Sequence, residues 1–240
     1  RLEAARATLL EAREKRLRPH RDDKVLTSWN GLMIAAIARA AQVLGEPLYA
    51  AAAAAAAAFL RERLTREDGR LLARWRDGEA AHLGYLDDYA FLAWGYLELY
   101  EATFEPEFLV EAKRLVDTMN AHFADEQEGG YFFTGDDGEP LLARAKEIYD
   151  GASPSGNSIA ALVLLKLSRL TGDGAYEARA ELLFRAFSGL VERHPSAHTQ
   201  LLMAVDFALG PTREIVIAAD RGDPGLLQLL GVVRRSFTPN

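Results

Sequence analysis

The chain has 240 residues, with 28 Lys and Arg against 35 Asp and Glu, a formal net charge of −7 and no cysteine. That length can bury a sizeable core in one large domain or two small ones. The charge argues against nucleic acid as a main partner, and the absence of cysteine excludes disulfides, thiolate metal sites and cysteine nucleophiles.

Taken in order, Arg1 to Leu17 places Leu2, Ala5, Leu9, Leu10 and Leu17 among charges, an amphipathic helix with Pro19 beyond its end. Thr27 or Ser28 can cap a helix from Trp29 to Leu44, which Gly45 ends. A helix from Leu48 to about Leu64 follows, and its alanine tract, Ala50 to Ala58, predicts close packing. Leu71 to Trp75 and Glu79 to His82 flank Asp77-Gly78, a hairpin signal. Leu86 to Ala102 is apolar almost all round and reads as a buried helix, with an amphipathic one from Pro106 to Phe123. Tyr131 to Thr134 suggests a second, hairpin-like excursion. Three helices then follow: Ser155 to Leu170, with Ser155 as cap, about Ala175 to Glu192, and Pro195 to Leu209. Glu214 to Ala219 reads as a buried strand, and about Pro224 to Arg235 as a helix.

Three helix pairs share a turn: Gly45-Glu46-Pro47-Leu48-Tyr49, Phe104-Glu105-Pro106-Glu107-Phe108 and Gly172-Asp173-Gly174-Ala175-Tyr176. In each pair the first helix is the more apolar, which predicts an inner and an outer layer in a solenoid or ring. Nineteen residues before each aromatic anchor stand Asn30, Tyr89 and Asn157, so SWNGL, DDYAF and SGNSI occupy equivalent inner-helix N-termini. In a ring these ends share one mouth, which collects Trp29, Asn30, Asp87, Asp88, Tyr89, Ser155, Asn157 and Ser158. Glu147 and Asp150 join from a loop, and His198 with Gln200 from the next inner helix. Carboxylates, amides and aromatics together suit a sugar ring, polar groups meeting hydroxyls and aromatic faces the C–H side.

Asp22 to Ala36 (DDKVLTSWNGLMIAA), Leu86 to Leu92 (LDDYAFL) and Asp150 to Ser158 (DGASPSGNS) carry a resemblance to the YyaL family, which includes the spermatogenesis-associated thioredoxin-like proteins. The resemblance spans almost the whole chain and implies an all-α fold: an (α/α)6 toroid of the six-hairpin glycosidase type, akin to sugar 2-epimerase barrels. In that family a thioredoxin-like domain precedes the barrel, and this sequence contains no such part. The organisation expected is a partial toroid over 1–210 with short β excursions, then the start of an α/β extension over 211–240. A partial ring would expose an apolar edge that a dimer could cover.

Two functions compete. One is a carbohydrate-active enzyme, hydrolase or epimerase, using Asp87, Asp88, Glu147 and Asp150 as acid and base, with Trp29, Asn30, Tyr89, Ser155, Asn157, Ser158 and His198 binding substrate. His198 is the one histidine placed near the mouth, which favours carboxylate chemistry. The other is a non-catalytic binding or scaffold module working with a thioredoxin-like domain. The scattered histidines argue against a metal, no cofactor is expected, and no membrane segment or signal peptide is read, so a cytoplasmic location is expected.

Overall fold

The computed structural model describes residues 1–213, 215–220 and 223–235. In chain order it contains α1 (Leu2–Glu14), β1 (Val25–Leu26), α2 (Thr27–Leu44), α3 (Pro47–Arg63), β2 (Leu72–Arg76), β3 (Glu79–Leu83), α4 (Leu86–Thr103) and α5 (Pro106–Phe123). There follow α6 (Gly156–Thr171), α7 (Gly174–Arg193), a 3-10 turn (Pro195–Ala197), α8 (Thr199–Leu209) and α9 (Pro224–Arg234). The helical hairpins read from the sequence are therefore present.

The three shared turns have one conformation. Gly45, Phe104 and Gly172 all lie in the left-handed region, at φ 68°, 57° and 72°. Each donates its N–H to the carbonyl four residues back, at Ala41, Tyr100 and Ser168, which satisfies a carbonyl at the helix end. Phe104 adopts this conformation although a Cβ makes it cost about 1 kcal/mol. Its ring packs edge-on against Tyr100, with centroids 6.4 Å apart, and the Arg234 guanidinium lies 5.9 Å from it.

The helices form two layers. α4 packs between α2 and α6, and α6 packs against α8, while α3, α5 and α7 lie behind α2, α4 and α6. α2 and α4 touch backbone to backbone: a Cβ on Gly31 would sit 2.6 Å from the main chain of Phe91 and Leu92. The central core is made by α4 and α6, whose Tyr89, Phe91, Leu92, Leu97, Ile159, Val163, Leu164 and Leu167 are all but inaccessible. The alanine tract packs closely along one stripe, with Ala53, Ala57 and Leu60 buried. Its other alanines are half-buried or exposed.

About 18 Å along α4 from its start, at 1.5 Å per residue, a charge network ties three inner helices together. Lys166 Nζ of α6 donates to Glu98 Oε1 at 2.6 Å and Glu101 Oε1 at 2.8 Å, both on α4. Trp94 Nε1 donates to Glu98 Oε1 at 3.0 Å. Arg39 of α2 lies 3.8 Å from Glu98 and 3.6 Å from Glu101.

β1, β2 and β3 form an antiparallel sheet in that order, with Val25 opposite Trp75 and Trp75 opposite Ala80. Asp77 and Gly78 turn the hairpin with both residues at positive φ, as a tight two-residue turn requires. The two-residue β1 was not expected.

Four local expectations are corrected. The second excursion reduces to a single bridge, Ala124 to Tyr131, because Gly129 and Gly130 both turn to positive φ just before it. Thr27 and Ser28 do not cap α2, whose N-cap is Leu26 with no side-chain bond; Thr27 Oγ1 instead donates to Leu72 O at 2.6 Å. Of the strand expected over Glu214 to Ala219, Glu214 lies outside the described residues and 215–219 are irregular, with Ile215 and Val216 in solvent. The helix expected to begin at Pro195 starts instead as a 3-10 turn and becomes α-helical at Thr199.

Candidate functional site

The inner helices α2, α4, α6 and α8 begin at one end of the layer, and carboxylates stitch those beginnings together. Asp88 Oδ2 accepts from Tyr85 N–H at 2.8 Å, capping its own helix, and Oδ1 accepts from Ser28 N–H at 2.8 Å, capping α2. Asp87 accepts the N–H of Gly156, the first residue of α6. A Cβ at Gly156 would stand 2.5 Å from Asp87 Oδ1, so that approach requires glycine. Asp150 serves two helices: Oδ1 accepts from Ser155 N–H at 2.9 Å, and Oδ2 from Gln200 and Leu201 N–H at 2.8 and 3.2 Å. Asn30, Tyr89 and Asn157 thus lie at one end of the array.

The carboxylates are electrostatically unequal. Burial pushes Asp88 up to about 7, against the pull of its two N–H donors. Asp87 is half-buried and rises to about 6, first from desolvation and then from the negative charge of Glu147. Glu147 itself is exposed. Asp87 and Glu147 are therefore neighbours of unlike solvation, one partly protonated near pH 6 and the other open to water.

The remaining residues separate into a buried set and an open set. Tyr89 is inaccessible and its hydroxyl accepts from Leu71 N–H at 2.8 Å. Asn157, also inaccessible, holds Tyr131 by both backbone groups and donates to Glu147 O at 2.8 Å, which fixes the loop carrying Glu147. Ser155 Oγ accepts from Ser158 N–H at 3.1 Å as the expected cap, and both serines are buried. His198 is buried with Nδ1 2.9 Å from Ile148 O, so Nδ1 carries the proton that the carbonyl accepts. Asn30 Nδ2 donates to Leu26 O at 2.8 Å and is half-buried.

Trp29 is open, at 67% exposure. Tyr85 and Tyr149, which the sequence reading did not select for the site, are also open, at 38% and 68%. Tyr85 stacks on Phe133 with centroids 4.9 Å apart. Its place directly before the LDDYAFL motif was the available signal. Gln200 Nε2 is buried and has no hydrogen-bond partner.

Two further features lie on the outer side of this end, along α5. A cavity of about 490 Å3 runs along the outer helix α5, lined by Arg70, Lys113, Arg114, Asp117 and His122 among others. Beside it His122, Asp136 and Asp137 bring metal-ligating atoms within 4.8 Å of one another. Those groups are already engaged, Asp136 with His122 at 2.9 Å and Asp137 with Arg70 at 2.7 Å. No helix among the described residues is long and apolar enough to cross a membrane.

No family model matches the chain. It is 36% identical to human spermatogenesis-associated protein 20 in an alignment covering 97% of this chain and 31% of that protein. The chain thus spans about a third of the relative's length. Among solved structures it resembles a GH76 alpha-mannanase of Bacteroides thetaiotaomicron, with a TM-score of 0.64 and 13% identity over 90% of this chain and 58% of that one. It also resembles cellobiose 2-epimerase from Bacillus thermoamylovorans, with a TM-score of 0.60 and 20% identity over 71% of this chain and 46% of that one. These likenesses show the fold, that of glycosidase-like (α/α)6 barrels.

Proposed function

We propose, for a chain that is a relative of spermatogenesis-associated protein 20 along nearly its whole length, a saccharide site with carboxylate chemistry at the N-terminal end of its inner helices. The observation that carries this reading is the pair formed by Asp87 and Glu147. A glycoside or sugar reaction needs one carboxyl that holds a proton and one that does not. Desolvation and the Glu147 charge raise Asp87 to about 6, which suits it to donate a proton, while exposed Glu147 supplies the base or nucleophile. Trp29, Tyr85 and Tyr149 offer open faces for the C–H side of a sugar ring. Asp88, Asp150, Asn157, Ser155, Tyr89, Asn30 and His198 Nδ1 act in positioning, since these groups are spent on the backbone, and Ser158 Oγ is held by Ser155 Oγ at 2.9 Å. The fold likeness to a mannanase and an epimerase supports the substrate class by analogy.

The test is turnover of a panel of mannosides, glucosides and free hexoses by the full protein and by Asp87→Asn and Glu147→Gln. Each single variant is expected to lose at least a hundredfold in rate while keeping wild-type circular dichroism. Turnover that survives both substitutions refutes the assignment.

The alternative is a non-catalytic scaffold. Its support is that Asp88 and Asp150 are fully occupied as helix caps, and that the cavity along α5 lies on the outer layer rather than at the mouth. Absence of turnover and of saccharide binding in the same panel favours it.

A further inference from the structure

We infer that the cavity along α5 binds a phosphate group, carried on a small phosphomonoester or present as the free ion. This goes beyond the carbohydrate reading and does not rest on it. The cavity holds about 490 Å3, a volume usual for small-molecule sites, and Asp68, Arg70, Lys113, Arg114, Asp117 and His122 supply its charged and titratable lining.

Arg70 is the group that calls for a ligand. It is 4% exposed and rests on the paired rings of Tyr89 and Phe123, its guanidinium carbon 5.3 Å from each centroid. Nη2 donates to Asp137 Oδ1 at 2.7 Å. Nε and Nη1 are buried and have no hydrogen-bond partner among the described residues. A buried donor without an acceptor carries the full cost of its lost hydration, and native structures keep few of them. Asp137 already supplies a counter-charge, so Arg70 lacks acceptors rather than a counter-ion.

The other basic groups of the lining add donors. Lys113 Nζ gives one ammonium hydrogen to the Tyr176 hydroxyl at 2.7 Å and keeps the others. Arg114 donates from Nε to Glu111 Oε2 at 2.9 Å and from Nη1 to Gly69 O at 3.0 Å, which leaves Nη2. His122 Nδ1 is held by Asp136 at 2.9 Å. Of the acidic groups, Asp68 is turned to Arg66 at 2.9 Å and to the Arg70 N–H at 3.0 Å. Asp117 is exposed and offers an acceptor for a ligand hydroxyl. Charges in the lining are thus nearly balanced, while donors exceed acceptors.

The leftover donors belong to three side chains on two segments, the loop before β2 and α5. A tetrahedral oxyanion accepts hydrogen bonds from several directions at once. A planar carboxylate is matched best by one guanidinium fork, and Nη2 of Arg70, which both forks of that group share, is already on Asp137.

The experiment is calorimetric titration of the full protein with D-glucose 6-phosphate, inorganic phosphate, acetate and D-glucose, repeated on Lys113→Ala, Arg114→Gln and Arg70→Gln. At least one of the two phosphates is expected to bind about tenfold tighter than acetate, and each variant to lose about tenfold in that affinity. A tighter ester assigns the site to a phosphomonoester, and parity assigns it to the free ion. Circular dichroism checks the fold of Arg70→Gln, and the two α5 variants decide the matter if that one unfolds. Acetate binding as tightly as phosphate, no binding of either phosphate, or a phosphate affinity unmoved in both α5 variants overturns the inference. D-Glucose binding at the inner-helix end should not change in the α5 variants, so the saccharide reading stands or falls separately.

Discussion

Replacing Lys166 by methionine removes a cation that donates to both Glu98 and Glu101 on α4. Glu98 is 5% exposed, and its Oε2 has no hydrogen-bond partner, so without Lys166 it is a buried carboxylate with only Arg39 at 3.8 Å and Trp94 Nε1 to support it. Breaking a buried pair from one side costs about 3–5 kcal/mol, because the surviving charge is stranded. In a domain of this size that corresponds to roughly 6–20 °C in Tm. Removing both partners, as in Lys166→Met with Glu98→Met, restores most of the loss, since two apolar side chains of similar volume need no counter-charge. The pH dependence has two limbs. Lys166 is raised above 10.5 by its two glutamates despite burial, so its contribution is complete below that value and is lost as pH climbs through the folded pKa. Burial opposes Glu98 ionisation, but Lys166 lowers it below 4.5 on balance, so its contribution holds above that value and is lost as pH falls. Urea unfolding followed by circular dichroism measures all of these. A single variant within about 1 kcal/mol of wild type, or a double variant no better than the single, would refute the account.

Other outcomes follow from the mouth and the glycines. Asp87 binds its proton more tightly folded than unfolded, so Asp87→Asn should gain stability relative to wild type as pH rises from 3.8 through about 6. Discounted for its partial exposure, the gain between pH 3 and pH 8 is about 1–2 kcal/mol, and equal urea midpoint differences at the two pH values contradict it. Gly31→Ala drives a Cβ to 2.6 Å from the main chain of Phe91 and Leu92, and should cost about 3 kcal/mol or prevent folding. Gly45→Ala meets open space and carries only its left-handed backbone, so about 1 kcal/mol is expected. Thermal melts of the two variants should differ plainly, and similar melts would deny that α2 and α4 touch by backbone.

The helices were legible because their punctuation is local. Gly45, Pro47, Pro106, Ser155 and Gly172 mark ends through their own backbone or side-chain preferences, whatever surrounds them. The site was legible only to the level of which end holds it. α4 is apolar almost all round, so the pattern could not tell that Tyr89 points to the core while Tyr85 remains open. Nor could local rules anticipate that Asp88 would reach Ser28, 60 positions away, or that Asp87 would serve Gly156. Such bonds are set by how hairpins pack. The strand expected over Glu214 to Ala219 went wrong for a related reason. An apolar β-branched run needs a neighbouring strand to pair with, and composition does not report whether one is there.

The exchange of caps between hairpins has a kinetic consequence. α2 begins properly only when Asp88 of the next hairpin has arrived, α6 draws on Asp87 of the hairpin before it, and α8 waits on Asp150. An isolated hairpin therefore starts with frayed, unsatisfied N–H groups and gains little from forming alone. In a stacked-repeat protein this shifts weight from the intrinsic stability of each unit to the junctions between units. The inner layer should then fold and unfold as a single cooperative block over α2 to α8, with hydrogen exchange at the four helix starts opening together rather than one hairpin at a time.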